Sequence, residues 1–333
     1  MNIAHKTLAI TALALSWALT ACGGSQSKAQ AGEAGAQAEE AVSVPAFNAD
    51  SAYAYVAAQT AMGPRVPGTA AHRQCRDWMA AMLKGFGADT VWVQRGSQDN
   101  HRGGTAEVNN VIARFNLKSP RRVLLLAHYD TRPWADEDPD AANHSKPIDG
   151  ANDGASGVGV IMEIARQAGM AAPGVGVDVL MADVEDSGTS GNDAESDLTW
   201  CLGTQYFAQN LPYTGRLPEA AVLLDMVGGK DAVFPQEYFS QQAAGSVVNA
   251  LWQAAERAGY GARFPKRMGG AVNDDHVPLI GAGIKAVDII ECGNAQTGSF
   301  NPTWHTMADN LDNIDTQTLK AVGQTVMQYI YGL

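Results

Sequence analysis

The sequence predicts an α/β fold, a three-layer sandwich with a mostly parallel, mixed central sheet flanked by helices. Three observations carry this. Four short aliphatic runs, "RRVLLLAHYD" (121–130), "VDVLMADVED" (177–186), "AAVLLDMVG" (220–228) and "IKAVDIIECG" (284–293), read as strands covered on both faces. Helix-period segments alternate with them, as a parallel sheet requires. Polar residues gather where the strands end: His128, Asp130, Glu185, Asp186 and Asp225, with Asp153 in the following loop.

From the amino terminus, Lys6 precedes an apolar run from Leu8 to Leu19, too short to cross a bilayer and suited to a signal-peptide core. It ends in Leu19-Thr20-Ala21-Cys22, the pattern of a bacterial lipoprotein signal. The expectation is that residues 1–21 are removed and Cys22 is lipidated. The chain is then exported and held by its lipid on the periplasmic side of a bacterial membrane, the outer one in the simplest case. Residues 22–45 are rich in Gly, Ser, Gln, Ala and Glu and read as a flexible tether. Residues 46–333 show no further low-complexity break and no internal repeat, so a single α/β domain is expected.

Within that domain, 49–62 and 69–87 read as helices ahead of the first strand. Segments 157–169, 201–211 and 244–260 supply the crossovers, and 315–333 closes the chain as a helix. With 23 basic against 35 acidic residues the formal net charge is −12, which disfavours nucleic acid and anionic lipid as partners. Membrane contact is expected through the lipid anchor only. Cys75, Cys201 and Cys292 remain, so at most one disulfide forms within the chain, and no CxxC spacing suggests a zinc ribbon. The sequence leaves the oligomeric state open.

In open α/β sheets ligands bind beyond the carboxyl ends of the strands. Carboxylates arriving there from several strands repel one another unless protons or a cation hold them. His128 in "AHYD", Asp153 in "DGANDGASG", Glu185 and Asp186 in "DVEDSG" and His305 in "PTWHT" converge on that end. Oxygen and nitrogen donors from Asp, Asp and His suit Zn²⁺ with an open position, as in catalytic sites. Successive strand residues face opposite ways, so one of Glu185 and Asp186 is expected to bind the ion and the other to carry protons. The acidic run "WADEDPD" (134–140) reads as a solvated loop. The polar stretch 185–200 reads as a lid or wall above the site.

The ordered set H-x-D, G-x-N-D-x-x-S-G, E-[DE], a strand-end Asp and a late His resembles the zinc exopeptidase superfamily of bacterial leucyl-type aminopeptidases. The likeness runs from about residue 50 to the end. Within it "RPWADEDPD", "DDHVPL" and "WHTMADNLDNI" are most similar to the animal-type glutaminyl-peptide cyclotransferase branch, which is also found as bacterial lipoproteins. The resemblance implies a zinc-exopeptidase-like fold with Asp153, Asp186 and His305 as zinc ligands and Glu185 as general base. It implies that Asp225 and Asp274 join Glu185 in a hydrogen-bonded chain, and that Trp304, Phe300 and Trp200 line the substrate pocket. Asp186 departs from many relatives, which carry glutamate there. The implied reaction converts the N-terminal glutamine of peptides or proteins to pyroglutamate with release of ammonia, using one zinc. The alternative is a zinc aminopeptidase hydrolysing N-terminal residues, with two metals. There His128 and Asp225 match ligands of the second ion; otherwise His128 supports the first.

Overall fold

The structure is a computed structural model and describes residues 43–191 and 193–333. The expected signal peptide, Cys22 and nearly all of the expected tether lie outside the described residues. At their start Val44 packs against the core, and the Gln324 side chain donates to Pro45 O (3.2 Å) and accepts from Phe47 N–H (2.8 Å).

Six strands form one sheet: β1 (Thr90–Asp99), β2 (Thr105–Phe115), β3 (Arg122–His128), β4 (Gly176–Ala182), β5 (Ala220–Leu224) and β6 (Ala286–Ile289), in the order β1-β2-β4-β3-β5-β6. The last four in chain order run parallel, and β1 and β2 pair antiparallel on one edge. All residues of β3, β4, β5 and β6 are buried, as their continuous aliphatic runs anticipate. Sequence reading missed the β1–β2 hairpin. Its strand β1, "TVWVQRGSQD", is mostly half-exposed and polar, because an edge strand need cover only one face.

The helices are α1 (Ala49–Thr60), α2 (Ala70–Gly85), α3 (Ala155–Met170), α4 (Ala194–Asp197), α5 (Leu202–Gln209), α6 (Tyr238–Arg257), α7 (His276–Gly281) and α8 (Thr316–Ile330). Asn48, Thr69 and Asp315 cap α1, α2 and α8 by accepting backbone N–H groups. The segment expected to be helical from 244 begins earlier, at Tyr238, and is kinked at Ala244 (φ −138°, ψ 32°).

β3 alternates Val123, Leu125 and Ala127 into the core beneath α1, α2, α3, α6 and α8, and Leu124 and Leu126 into the layer beneath α5 and α7. Alternation alone thus builds both layers. α3 lies close on the sheet at Gly157, where a Cβ would collide with Leu224 O. This fixes the loop that precedes α3, which carries Asp153.

Candidate metal centre and active site

The carboxyl ends of β3, β4 and β5 open into a pocket of about 430 Å³ whose walls include Asp153, Glu185, Asp186, Asp225, Asp274 and His305. Two buried carboxylates set the loops that carry three of these. Asp309 accepts the N–H of Asn152 (2.7 Å) and of Asp153 (3.1 Å), and Asp130 accepts the N–H of Glu185 (3.0 Å) and of Asp186 (3.1 Å). Burial pushes the Asp309 carboxyl up to about 8, helped by Asp153, against the two N–H bonds and Arg65.

Glu185 and Asp186 lie beyond the end of β4, in a loop, so strand alternation does not separate them. Val184 (φ +51°) turns the chain just before them, and His305 (φ +55°) and Met226 (φ +48°) on neighbouring loops are left-handed too. Left-handed backbone in non-glycine residues costs on the order of 1 kcal/mol each and persists where the surroundings hold it.

His305 Nε2 stands 3.2 Å from Asp186 Oδ1 and 3.6 Å from Asp153 Oδ2. One donor atom from each of Asp153, Asp186 and His305 falls within 4.8 Å of the others. Tetrahedral zinc with bonds of about 2.0–2.1 Å sets its ligands roughly 3.3 Å apart, so the triad has the right span. Asp186 Oδ2 is buried with no hydrogen-bond partner, an orphan that a cation would satisfy. Burial lowers the proton affinity of His305, but Asp186, Asp136 and Asp153 outweigh it and push the imidazole up to about 9. A site that draws a proton this strongly without metal draws a divalent ion by the same field.

Arg132 anchors this triad from behind. Its buried guanidinium grips Asp136 through two bonds (2.6 and 2.6 Å) and reaches Asp186 O (3.3 Å) and Gly188 O (3.3 Å). It lies 5.0 Å from the Trp134 ring and 4.8 Å from the Trp200 ring. Asp136 in turn faces His305 Nδ1 at 3.4 Å. Burial works against the Asp136 charge, yet Arg132 and His305 hold its carboxyl far below the usual range. The run 134–140 is therefore only partly solvated: Asp136 supports the triad, and Asp138 accepts the Met307 N–H (2.8 Å) next to it.

Glu185 is separate from the triad. Burial raises its proton affinity well above the ordinary carboxyl value, and Asp186, Asp274 and Asp275 add to this while His128 opposes it. Asp274 is raised well above its usual value by burial, Asp225 and Asp275. Asp275 is raised to about 7, by burial first. Among the described residues no hydrogen bond joins Asp225 or Asp274 to Glu185; one oxygen of Asp274 lies within 4.8 Å of a Glu185 oxygen and of Cys201 Sγ. Asp274 raises the proton affinity of Glu185, and Asp225 that of Asp274.

His128 is wholly buried, with Nε2 at 3.0 Å from Asp153 Oδ1 and 3.2 Å from Asp225 Oδ1. Burial opposes its charge, but Asp130, Asp153 and Asp225 raise its proton affinity well above the usual value. His128, Asp153 and Asp225 also offer three donor atoms within 4.8 Å of one another.

Trp304, Phe300 and Trp200 all line the pocket. Trp304 stacks on His305 at 3.7 Å between centroids and meets Phe300 at 4.8 Å with the rings tilted by 53°; Trp200 lies parallel to His305 at 6.1 Å. Ser190, Gly191 and Asp197 bring the 185–200 stretch into the wall. Cys75, Cys201 and Cys292 are buried and unpaired. Sequence reading missed Arg132, Asp136, Asp275, Asp309 and Cys201 as parts of the site. Arg132, Asp136, Asp275 and Asp309 lie within the stretches "RPWADEDPD", "DDHVPL" and "WHTMADNLDNI" that carry the family resemblance, and that was the available signal.

The profile of peptidase family M28 matches residues 110–330, and the chain belongs to that family. The structure of Bacteroides thetaiotaomicron glutaminyl cyclase bound to N-acetylhistamine superposes with a TM-score of 0.84 at 44% identity, covering 87% of this chain and 100% of that one. A Zn-dependent exopeptidase from Parabacteroides distasonis does so with a TM-score of 0.83 at 48% identity, over 87% and 100%. The glutaminyl-peptide cyclotransferase of Boiga irregularis is 22% identical over 80% of this chain and 76% of its own length. Aminopeptidase YwaD of Bacillus subtilis is 27% identical over 65% of this chain, a match that spans 42% of YwaD.

Proposed function

We propose that this protein is a zinc-dependent glutaminyl-peptide cyclotransferase acting on peptides and proteins with an N-terminal glutamine. The observation that carries this reading is what a single pocket brings together: the Asp153–Asp186–His305 triad, a separate buried carboxyl at Glu185 with raised proton affinity, and the Trp304–Phe300 wall. The 44% identity to a glutaminyl cyclase structure supports it.

Asp153, Asp186 and His305 would hold the ion, and bound zinc supplies Lewis acidity toward the γ-carbonyl of the glutamine. The protein's own groups do the rest. Trp304 and Phe300 confine the glutaminyl side chain so that the α-amine lies over its own γ-carbonyl carbon, a proximity effect. Glu185 as carboxylate accepts a proton from the α-amine while the new C–N bond closes the five-membered ring. As the carboxylic acid it returns that proton to the side-chain nitrogen as the old C–N bond breaks, and ammonia leaves. One proton taken and one returned leaves Glu185 as it began. A carboxyl lifted by burial and by its acidic neighbours suits both halves of that exchange.

The exported, lipid-anchored location is part of the proposal and rests on Lys6, the apolar run and Cys22. Fractionation tests it: wild type should sediment with membranes, and a Cys22→Ala variant should not carry lipid.

The second reading, a two-metal aminopeptidase, is favoured by the His128–Asp153–Asp225 group. Gln-peptide and Leu-peptide chromogens offered side by side separate the two. Ammonia and a blocked N-terminus from the first, with no cleavage of the second, is the expected result; cleavage of the Leu-peptide without ammonia from the Gln-peptide overturns it.

A further inference from the structure

Resting on the reading of Glu185 as proton carrier, we propose that Cys201 is the positioning residue that holds the Glu185 carboxyl toward the pocket, its thiol donating to Oε1. The Sγ–Oε1 distance is 3.4 Å, and this is the only hydrogen bond made by the Glu185 side chain among the described residues. A glutamate side chain has three torsions, so without a partner the carboxyl samples several staggered positions. A single donor at this position favours the rotamer that meets it.

The backbone at Cys201 is shaped to deliver the thiol. Cys201 stands at the N-cap of α5, where Ser, Thr, Asp or Asn would normally turn back to cap the helix, and it makes no side-chain capping bond. It adopts φ +57°, ψ +31°, a left-handed conformation that favours glycine or asparagine. Two backbone bonds hold it there: Cys201 N–H donates to Glu185 O (3.1 Å) and Leu202 N–H to Val184 O (3.0 Å). Val184 on the facing segment is left-handed as well. Two conformationally costly non-glycine residues are thus interlocked across Glu185, and the side chain released from capping is the one that meets its carboxyl.

The chemistry of sulfur fits the task. Burial and then Glu185 itself push the thiol well above its ordinary value, so it stays an S–H donor. It is a weak donor, able to orient the carboxyl without holding it firmly in either protonation state. Buried at the foot of the site, Cys201 is not among the pocket-lining residues and has no part in the bond changes.

The test is steady-state kinetics of Cys201→Ala and Cys201→Ser with zinc content and melting temperature measured in parallel. A misplaced general base costs on the order of 10- to 100-fold. The expected result is a kcat loss of that size for Cys201→Ala with KM within about twofold, and recovery to within about fivefold of wild type for Cys201→Ser, whose hydroxyl keeps a donor in place. Zinc content should not change in either. A Cys201→Ala variant with kcat near wild type overturns the proposal, as does an equal loss in both variants. If Cys201→Ala does not fold, Cys201→Ser alone decides, since a tenfold loss with zinc retained is incompatible with an exchangeable donor. A crystal structure of the variant gives a readout independent of activity: the Glu185 carboxyl should leave its wild-type position, and an unmoved carboxyl overturns the assignment. Absence of cyclase activity in the wild type would instead sink the functional reading and leave this structural arm intact.

Discussion

Replacing Arg132 probes how far the metal triad depends on what lies behind it. The guanidinium is wholly buried between Trp134 and Trp200, bound twice to Asp136 and within 3.5 Å of Asp186 Oδ1. Arg132→Ala leaves Asp136 and Asp186 with His305 as their remaining cationic neighbour, and breaking a buried pair by removing one partner costs about 3–5 kcal/mol. At about 2–4 °C per kcal/mol in a large domain, the melting temperature of the metal-free protein should fall by roughly 6–20 °C. Loss of an outer partner of a metal ligand weakens zinc binding about 10- to 100-fold. Arg132→Lys keeps the charge but not the planar fork that matches Asp136, nor the stacking between two indoles, and should lose at least half of both effects. Because the cost is an uncompensated charge, Arg132→Ala with Asp136→Ala should recover part of the stability lost by Arg132→Ala alone. Thermal unfolding by circular dichroism and a zinc competition titration measure both. A lysine variant that melts and binds zinc like wild type would refute the reasoning.

Zinc affinity should rise with pH. His305 in the metal-free protein has its proton affinity raised to about 9, so its charged form stabilises the apo fold fully below about 6.5 and that contribution is lost as pH climbs through 9. The ion must displace this proton, so apparent affinity should improve about tenfold per pH unit from pH 6.5 toward 9 and then level off; a flat profile would contradict it. Glu185→Gln should cut turnover by about 10²–10⁴-fold while zinc content stays near wild type, because it removes a proton carrier and not a ligand; near-normal turnover in an ammonia-release assay would reassign the base. Gly157→Ala should destabilise by about 1–3 kcal/mol in chemical denaturation, since its Cβ would meet Leu224 O where α3 touches the sheet; unchanged stability would mean that α3 shifts freely.

The parallel half of the sheet was legible because strands buried on both faces must be continuously apolar, and few other structures impose that on short runs. The β1–β2 hairpin was not: β1 is an edge strand half in water and looks like a loop in composition, and β2, though buried, is interrupted by Asn109 and Asn110. Donor types gathering beyond the strand ends pointed to a cation site; the choice of Asp153, Asp186 and His305 came from the family resemblance. What holds them was hidden for a physical reason. Asp309 works through two backbone N–H groups more than 150 positions away, and Arg132 reaches Asp186 and Gly188 only after folding, so their roles are not written in local periodicity. Cys201 was invisible for the same cause, since its meaning lies in a left-handed backbone turn that composition does not encode. Strand alternation does not apply to Glu185 and Asp186, because β4 ends at Ala182 and Asp130 clamps both of their N–H groups in the loop beyond.

A crystal of zinc-reconstituted protein, with anomalous data collected on both sides of the zinc absorption edge, tests the central claim most directly. One strong peak at bonding distance from Asp153, Asp186 and His305, with Glu185 beside it and unbound, is the predicted outcome. No peak among those three side chains, or a second peak of equal height between His128, Asp153 and Asp225, would contradict a single-ion site built for ring closure.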